Sequence, residues 1–309
     1  HGRGAGAMLT DPVEDRHELR NLVADPEQVE VVAKLARLAR QHTAGRRPSA
    51  KPRLVLIGDS TVKNGRGRGD GGLYGWGQVI DELFDLDRIE IENRALGGRS
   101  SRTYLTESLW ASSLEQLRPG DFVLIQFGHN DGGQMFVGNR PRASIKGNGD
   151  ETKTGIVEQT DKQETVHSYG WYLRQYIADA RRKGAIPIVL SPIPRDRWQG
   201  GRVIRAGEDY GRWAREAAEQ AKAAFIDFNE IVARQYEELG EDVVGRELFT
   251  PDDWTHTTYR GAVVNARCLV EGIRSLQRCN LADYIRNVAE EPTAGRTRAG
   301  AAEASPNKP

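Results

Sequence analysis

Three residue types that together can cleave an ester lie in two short stretches about two hundred residues apart. Ser60 stands in Leu54-Val55-Leu56-Ile57-Gly58-Asp59-Ser60-Thr61, directly after an apolar run that reads as a buried parallel strand delivering the serine to a sheet edge. Asp253 and His256 share one turn, Asp253-Trp254-Thr255-His256, near the other end of the chain. A serine hydroxyl attacks a carbonyl usefully only when a neighbouring base accepts its proton. Histidine suits that task, and a carboxylate on its second ring nitrogen fixes the tautomer and stabilises the imidazolium. Each stretch also has a plainer reading. Asp59, Ser60 and Thr61 are all helix-capping types, and Asp253 to His256 could be a polar loop leading into a helix that begins near Thr258.

Two further segments add complementary pieces. Gly128-His129-Asn130-Asp131 follows the apolar run Phe122 to Phe127 and lands at the same edge as Ser60. An amide placed there can donate to a developing oxyanion, a contact whose loss costs on the order of a hundredfold or more in rate. Asn93-Arg94-Ala95-Leu96-Gly97-Gly98-Arg99-Ser100-Ser101-Arg102 follows the strand-like Ile89 to Asn93, and a glycine lets a backbone N–H approach substrate closely.

In order and residue type, Gly58 to Thr61, Gly98, Gly128 to Asp131 and Asp253 to His256 resemble the four blocks of the SGNH (GDSL-type) hydrolase superfamily. Within it, Thr61, the run Gly71-Gly72-Leu73-Tyr74-Gly75-Trp76-Gly77, Gly98-Arg99-Ser100-Ser101-Arg102, Gly128 to Gly133 and Thr255-His256-Thr257 are similar to the rhamnogalacturonan acetylesterases, over roughly residues 51 to 280. The resemblance implies that Ser60 is the nucleophile, His256 the general base and acid, and Asp253 its orienter. It implies an oxyanion hole made of the Ser60 and Gly98 N–H groups and the Asn130 amide. Gly98 is preferred to Gly97 because it directly precedes Arg99-Ser100. The implied reaction removes acetyl groups from a plant cell-wall polysaccharide, rhamnogalacturonan before xylan, through an acetyl-serine. A broader small-acyl esterase is the nearest alternative. Asp59, Trp76, Arg99, Arg102 and Trp254 are candidate substrate contacts, Arg99 and Arg102 being equally suited to anchoring their loop by ion pairs, and Trp171 and Trp198 are further candidates for sugar stacking.

These residues need a scaffold. Strand-like runs at 53–57, 89–93, 122–127, 186–190 and 225–228 alternate with helix-like stretches at 106–117, 165–183, 206–224 and 258–278. That alternation predicts a three-layer α/β/α sandwich around a five-stranded parallel sheet, flavodoxin-like in plan, with function at the carboxyl edge. Residues 51–280 form the expected hydrolase domain. Within it, 132–164 is a long polar insertion beside Asn130, expected to wall or cover the cleft. Its Arg140, Arg142, Lys146 and Lys153 would suit acidic sugars. Residues 1–50 read as a charged extension and linker whose start is weakly similar to the tail of sulfatase domains, so a sulfatase domain or partner is conceivable on that side. Residues 281–309 read as a tail, disordered at its end.

Composition sets outer limits. Forty-four Lys and Arg balance 44 Asp and Glu, so no global charge recruits nucleic acid or a membrane surface, and no apolar run approaches the roughly 18 residues of a span. Cys268 and Cys279 lie in or just past one helical pattern. A continuous helix would hold them about 16 Å apart, too far to bridge, so free thiols are expected. Zinc-type His spacing is absent, and neither metal nor cofactor is expected. His129 lacks a carboxylate three residues earlier and reads as packing beneath the site. His167 has Glu164 at that spacing, where a helix is expected to open, and is a weak rival base. The Gly65 to Gly72 run admits a phosphate-binding reading but lacks a Gly-Lys-Ser/Thr ending. A non-catalytic carbohydrate binder would have no need of all three catalytic types. A lipid-type esterase or thioesterase would want an apolar cleft rim, which the polar insertion does not offer. No Gly-x-Ser-x-Gly elbow surrounds Ser60. Action on a polymer favours a secreted or periplasmic location.

Overall fold

Alternation along the strands decides the layering. The computed structural model describes residues 51–286 apart from 208, so the expectation for 1–50 lies outside the described residues, as does that for the tail 281–309 from 287 on; its first residues, 281–286, instead pack on the domain through Leu281 and Ile285. A division between Ala50 and Lys51 separates the chain into two units, of which the second is described below. Its central strands are β1 (Arg53–Gly58), β3 (Glu90–Asn93), β4 (Phe122–Gln126), β7 (Ile186–Leu190) and β10 (Ala224–Ile226). Every pairing among them is parallel, in the order β10-β7-β4-β1-β3. Successive side chains on a strand point to opposite faces, so a strand covered on both faces must be apolar throughout, and β1 and β4 are buried at every residue.

Leu54, Leu56, Phe122, Leu124, Ile188 and Leu190 face one side. They pack against Phe228, Val232 and Tyr236 of α5 (Phe228–Leu239) and Leu269 and Ile273 of α6 (Tyr259–Arg274). Val55, Ile57, Val123, Ile125 and Val189 face the other side. There they meet α1 (Ser101–Thr106), α2 (Leu109–Gln116), α3 (Tyr169–Arg182) and α4 (Tyr210–Gln220) through Tyr104, Trp110, Tyr176, Leu173 and Ala214. The result is the expected three-layer sandwich.

Several element boundaries differ from expectation. The helix expected over 106–117 covers Leu109–Gln116, and an unexpected short helix, Ser101–Thr106, precedes it; Ser108 at φ 62°, a left-handed conformation, separates the two. The helix expected from 165 begins at Tyr169, capped by Ser168, because Lys162–His167 instead forms β6 and pairs antiparallel with β5 (Thr152–Val157). The last part of the insertion, from Thr152 on, is therefore in a hairpin. The helix expected over 206–224 covers only Tyr210–Gln220, and that over 258–278 ends at Arg274. α5 was not expected, and Phe228, expected in a strand, opens it behind the cap Asp227, whose side chain accepts from the Glu230 N–H.

Asp253–Thr258 is a strand, β12, and not a turn. It lies in a small separate sheet between β11 (Phe249–Thr250) and β2 (Leu73–Tyr74), and β8 (Trp198–Gln199) pairs with β9 (Arg202–Val203) in a two-stranded ribbon. Cys268 and Cys279 are free. No helix among the described residues is long and apolar enough to cross a membrane.

Candidate active site

The order of the central strands puts the switch in winding direction between β1 and β4, the place where an open α/β sheet leaves a crevice at its carboxyl edge. β1 delivers Ser60 there and β4 delivers Asn130. Gly58 ends β1 under close constraint, since a Cβ on it would lie 2.5 Å from both the Gln126 carbonyl oxygen and Val62 Cγ2. The turn beyond is tied by its own side chains. Asp59 Oδ1 accepts from the Thr61 N–H at 2.9 Å and from Thr61 Oγ1 at 2.8 Å, while the Val62 and Lys63 N–H groups donate to the Asp59 carbonyl.

β12 brings the other two residues. Thr257 and Thr258 pair with Tyr74 and Leu73 of β2, and the register is irregular where β11 meets Asp253. Bulges of this kind commonly re-aim side chains beside a site. Asp253 Oδ1 accepts from the N–H groups of Thr255 and His256 at 2.8 and 2.9 Å. Its Oδ2 is 2.6 Å from His256 Nδ1, and His256 Nε2 is 2.8 Å from Ser60 Oγ. Partial burial pushes the Asp253 carboxyl up, but the backbone and ring donors outweigh it and hold the group below its ordinary value. The carboxylate therefore fixes a proton on Nδ1 and leaves Nε2 to accept the one from Ser60.

Around this line of three lies a pocket of about 580 Å³, also bordered by Gly97, Gly98, Asn130, Arg140, Arg142 and Arg195. The N–H groups of Ser60 and Gly98 donate to no acceptor among the described residues. Asn130 Nδ2 donates one hydrogen to the Arg99 carbonyl at 2.9 Å, and its second hydrogen remains for another acceptor. Gly98 has φ 80°, in the left-handed region. Gly97 also touches the site, because a Cβ there would come 3.4 Å from Ser60 Cβ.

Other expected contacts are elsewhere. Trp76 is 1% exposed, donates through Nε1 to Gln126 Oε1 at 3.0 Å and packs edge-on against Phe228, so it is a core residue and not a sugar platform. Asp59 is fully buried and serves the Ser60 turn instead of substrate. Arg102 is 1% exposed, bonded to Glu164 at 2.6 Å and to the Met135 and Ala143 carbonyls, and it anchors the insertion. Arg99 pairs with Glu107 on the surface beside the pocket. Trp254 is half-exposed under the Arg197 guanidinium, outside the residues bordering Ser60. Trp171 stacks on His167 at 3.8 Å, and Trp198 donates to Asp196.

His167 ends β6, and its expected partner Glu164 is taken by Arg102, so no second acid–base pair forms there. His129 lies beneath the site. Its Nε2 donates to the Ile193 carbonyl at 3.0 Å, and its Nδ1 is 3.5 Å from Asp59 Oδ2. Arg195 escaped sequence reasoning altogether, although it follows β7 at the same carboxyl edge. It donates to Thr255 Oγ1 and to the His129 carbonyl. Among the described residues no three His, Cys, Asp or Glu side chains gather in a way that could hold a metal ion.

Residues 56–263 match the GDSL-like lipase/acylhydrolase family. The chain is 33% identical over 227 residues to a rhamnogalacturonan acetylesterase of Emericella nidulans, covering 73% of this chain and 86% of the relative. It is 32% identical over 227 residues to the probable rhamnogalacturonan acetylesterase YesY of Bacillus subtilis, covering 72% and 93%. The crystal structure of YxiM from Bacillus subtilis shares the fold with a TM-score of 0.58 at 22% identity, over 74% of this chain and 57% of that one. The chain thus belongs to the GDSL-like lipase/acylhydrolase family.

Proposed function

We propose that this protein is a serine carbohydrate O-acetylesterase that removes acetyl groups from rhamnogalacturonan. The observation that carries the reading is the unbroken relay from Asp253 Oδ2 through the His256 ring to Ser60 Oγ, with links of 2.6 and 2.8 Å, opening into a pocket with free N–H donors. Ser60 Oγ attacks the acetyl carbonyl as His256 Nε2 takes its proton. The tetrahedral oxyanion is met by the N–H groups of Ser60 and Gly98 and by the Asn130 amide. His256 then returns the proton to the departing sugar oxygen, leaving acetyl-Ser60. Water activated by the same ring releases acetate and restores the serine.

Support for the polymer comes from the names of the curated relatives, two of which match over more than four-fifths of their own length. Open space next to the Ser60 pocket supports it as well, since two further pockets share lining residues with it, Gly98, Arg140 and Arg142 in one case and His129 and Arg195 in the other. A chain-like substrate needs room beyond the sugar being deacetylated. The test is acetate release from acetylated rhamnogalacturonan, acetylated xylan and an aryl acetate, with Ser60→Ala beside the wild type. Release from rhamnogalacturonan that disappears in the variant is the expected result. A folded wild-type protein that releases nothing from any of the three rejects the esterase reading.

A further inference from the structure

The insertion places two guanidiniums on the wall of the Ser60 pocket. Arg140 and Arg142 border both that pocket and an adjoining one of about 580 Å³, forming the partition between them. Their positions are tied to the Gly98 loop. Arg142 Nη1 donates to the Gly98 carbonyl at 2.9 Å, and a Cβ on Gly98 would stand 2.5 Å from Arg140 Nη2 and 3.5 Å from Arg142 Nη1.

Neither forms an ion pair among the described residues, unlike their neighbours. In the adjoining pocket Arg99 pairs with Glu107 and Arg102 with Glu164, whereas neither Arg140 nor Arg142 has a carboxylate partner among the described residues. Partial burial, followed by repulsion from Arg140, pushes Arg142 below its ordinary range, and the weaker attraction of the buried Asp59 and Asp131 carboxylates does not restore it. Arg195, also on the border of the Ser60 pocket, is likewise without an ion pair among the described residues and is lowered by burial and by Arg197, against the attraction of Asp59 and Asp209. Two adjacent cations with no carboxylate at ion-pair distance are relieved when an anion binds, and a guanidinium fork matches a carboxylate.

We propose that Arg140 and Arg142 form a carboxylate-binding subsite that takes a uronate carboxylate of the acetylated chain and so selects acidic chains over neutral ones. The proposal rests on the esterase reading above. It assigns the xylan-versus-pectin choice to charge at one wall of the pocket.

The test compares kcat/KM for acetate release from acetylated rhamnogalacturonan oligosaccharides with that from the same oligosaccharides after methyl esterification of their uronate carboxyls. Wild type, Arg140→Gln and Arg140→Lys are measured, with aryl acetate as a further substrate for the wild type. The wild type is expected to prefer the free acid by roughly tenfold or more, the scale of hydrogen bonds to a charged group, chiefly through KM. Arg140→Gln should bring that ratio close to one, and Arg140→Lys should keep part of it. Because Arg140 is exposed and its side chain holds no other residue in place, a matching thermal melt is expected for the Gln variant. An enzyme that cleaves aryl acetate and both oligosaccharides without preference overturns the subsite while leaving the esterase intact. Full preference retained by Arg140→Gln with Arg142→Gln overturns it as well. A folded wild type inert on all three substrates sinks the esterase reading and the subsite with it.

Discussion

At the scale of single residues, the relay makes unequal demands on its members. Replacing Ser60 or His256 by Ala should abolish nearly all turnover, measured as acetate release. Asp253→Asn should lower kcat on the order of 10⁴-fold, because an amide facing Nδ1 favours the wrong tautomer. Asn130→Ala should cost about a hundredfold or more in kcat if its free hydrogen meets the oxyanion, and its melting temperature should change little. The catalytic types were legible in the sequence because chemistry restricts them to few residues at short spacings. Burial was not legible, since it depends on partners far along the chain. Trp76 reads as a platform until Gln126 and Phe228 enclose it, and Arg102 reads as a substrate contact until Glu164 and two carbonyls claim it. Arg195 had no spacing to mark it.

At the scale of elements, the loops at the carboxyl edge are held together by Asp131. It accepts from the Ser101 N–H, from Ser101 Oγ and from Ser144 Oγ, joining α1 and the insertion to the loop that bears Asn130. Burial pushes its carboxyl up to about 6 against those donors. The folded protein therefore binds this proton more tightly than the unfolded chain does, and the group's contribution falls as pH rises from about 4 to about 6. Asp131→Asn lacks that titration, so melting temperatures across the interval should show the wild type losing ground relative to the variant. At the end of β1, Gly58→Ala should destabilise by about 1–3 kcal/mol through crowding, seen as a lower denaturation midpoint. In α6, burial pushes the Cys268 thiol up to about 12, so a disulfide reagent at pH 8 should label it only after unfolding. The sheet was readable because strands buried on both faces are unbroken apolar runs. The β5–β6 hairpin was hidden because its exposed, polar strands carry no such run, and the break at Ser108 because backbone conformation at one residue leaves no periodic trace.

At the scale of the whole molecule, 44 basic and 44 acidic residues cancel, yet the charge is unevenly placed. Arg140, Arg142 and Arg195 converge on a pocket in which Asp253 is engaged with His256. Composition alone is blind to such segregation. Screening acts over a Debye length of about 10 Å at 0.1 M salt. The KM for an acidic polymer should therefore rise between about 0.02 and 0.3 M salt, while hydrolysis of a neutral aryl acetate should stay nearly constant. Equal responses of the two substrates would contradict an electrostatic contribution from the pocket.

The small sheet that carries Asp253 and His256 has a consequence for how the chain is made. The five parallel strands are finished at Ile226, before either residue has emerged from the ribosome. The link between His256 and Ser60 spans 196 positions, and β12 docks on β2 over a similar distance. Contacts this remote in sequence close late in folding. A nascent or prematurely terminated chain can thus possess the whole central sheet and its serine and still be chemically silent, so regain of acetate release during refolding reports completion of the molecule and not merely collapse of its core.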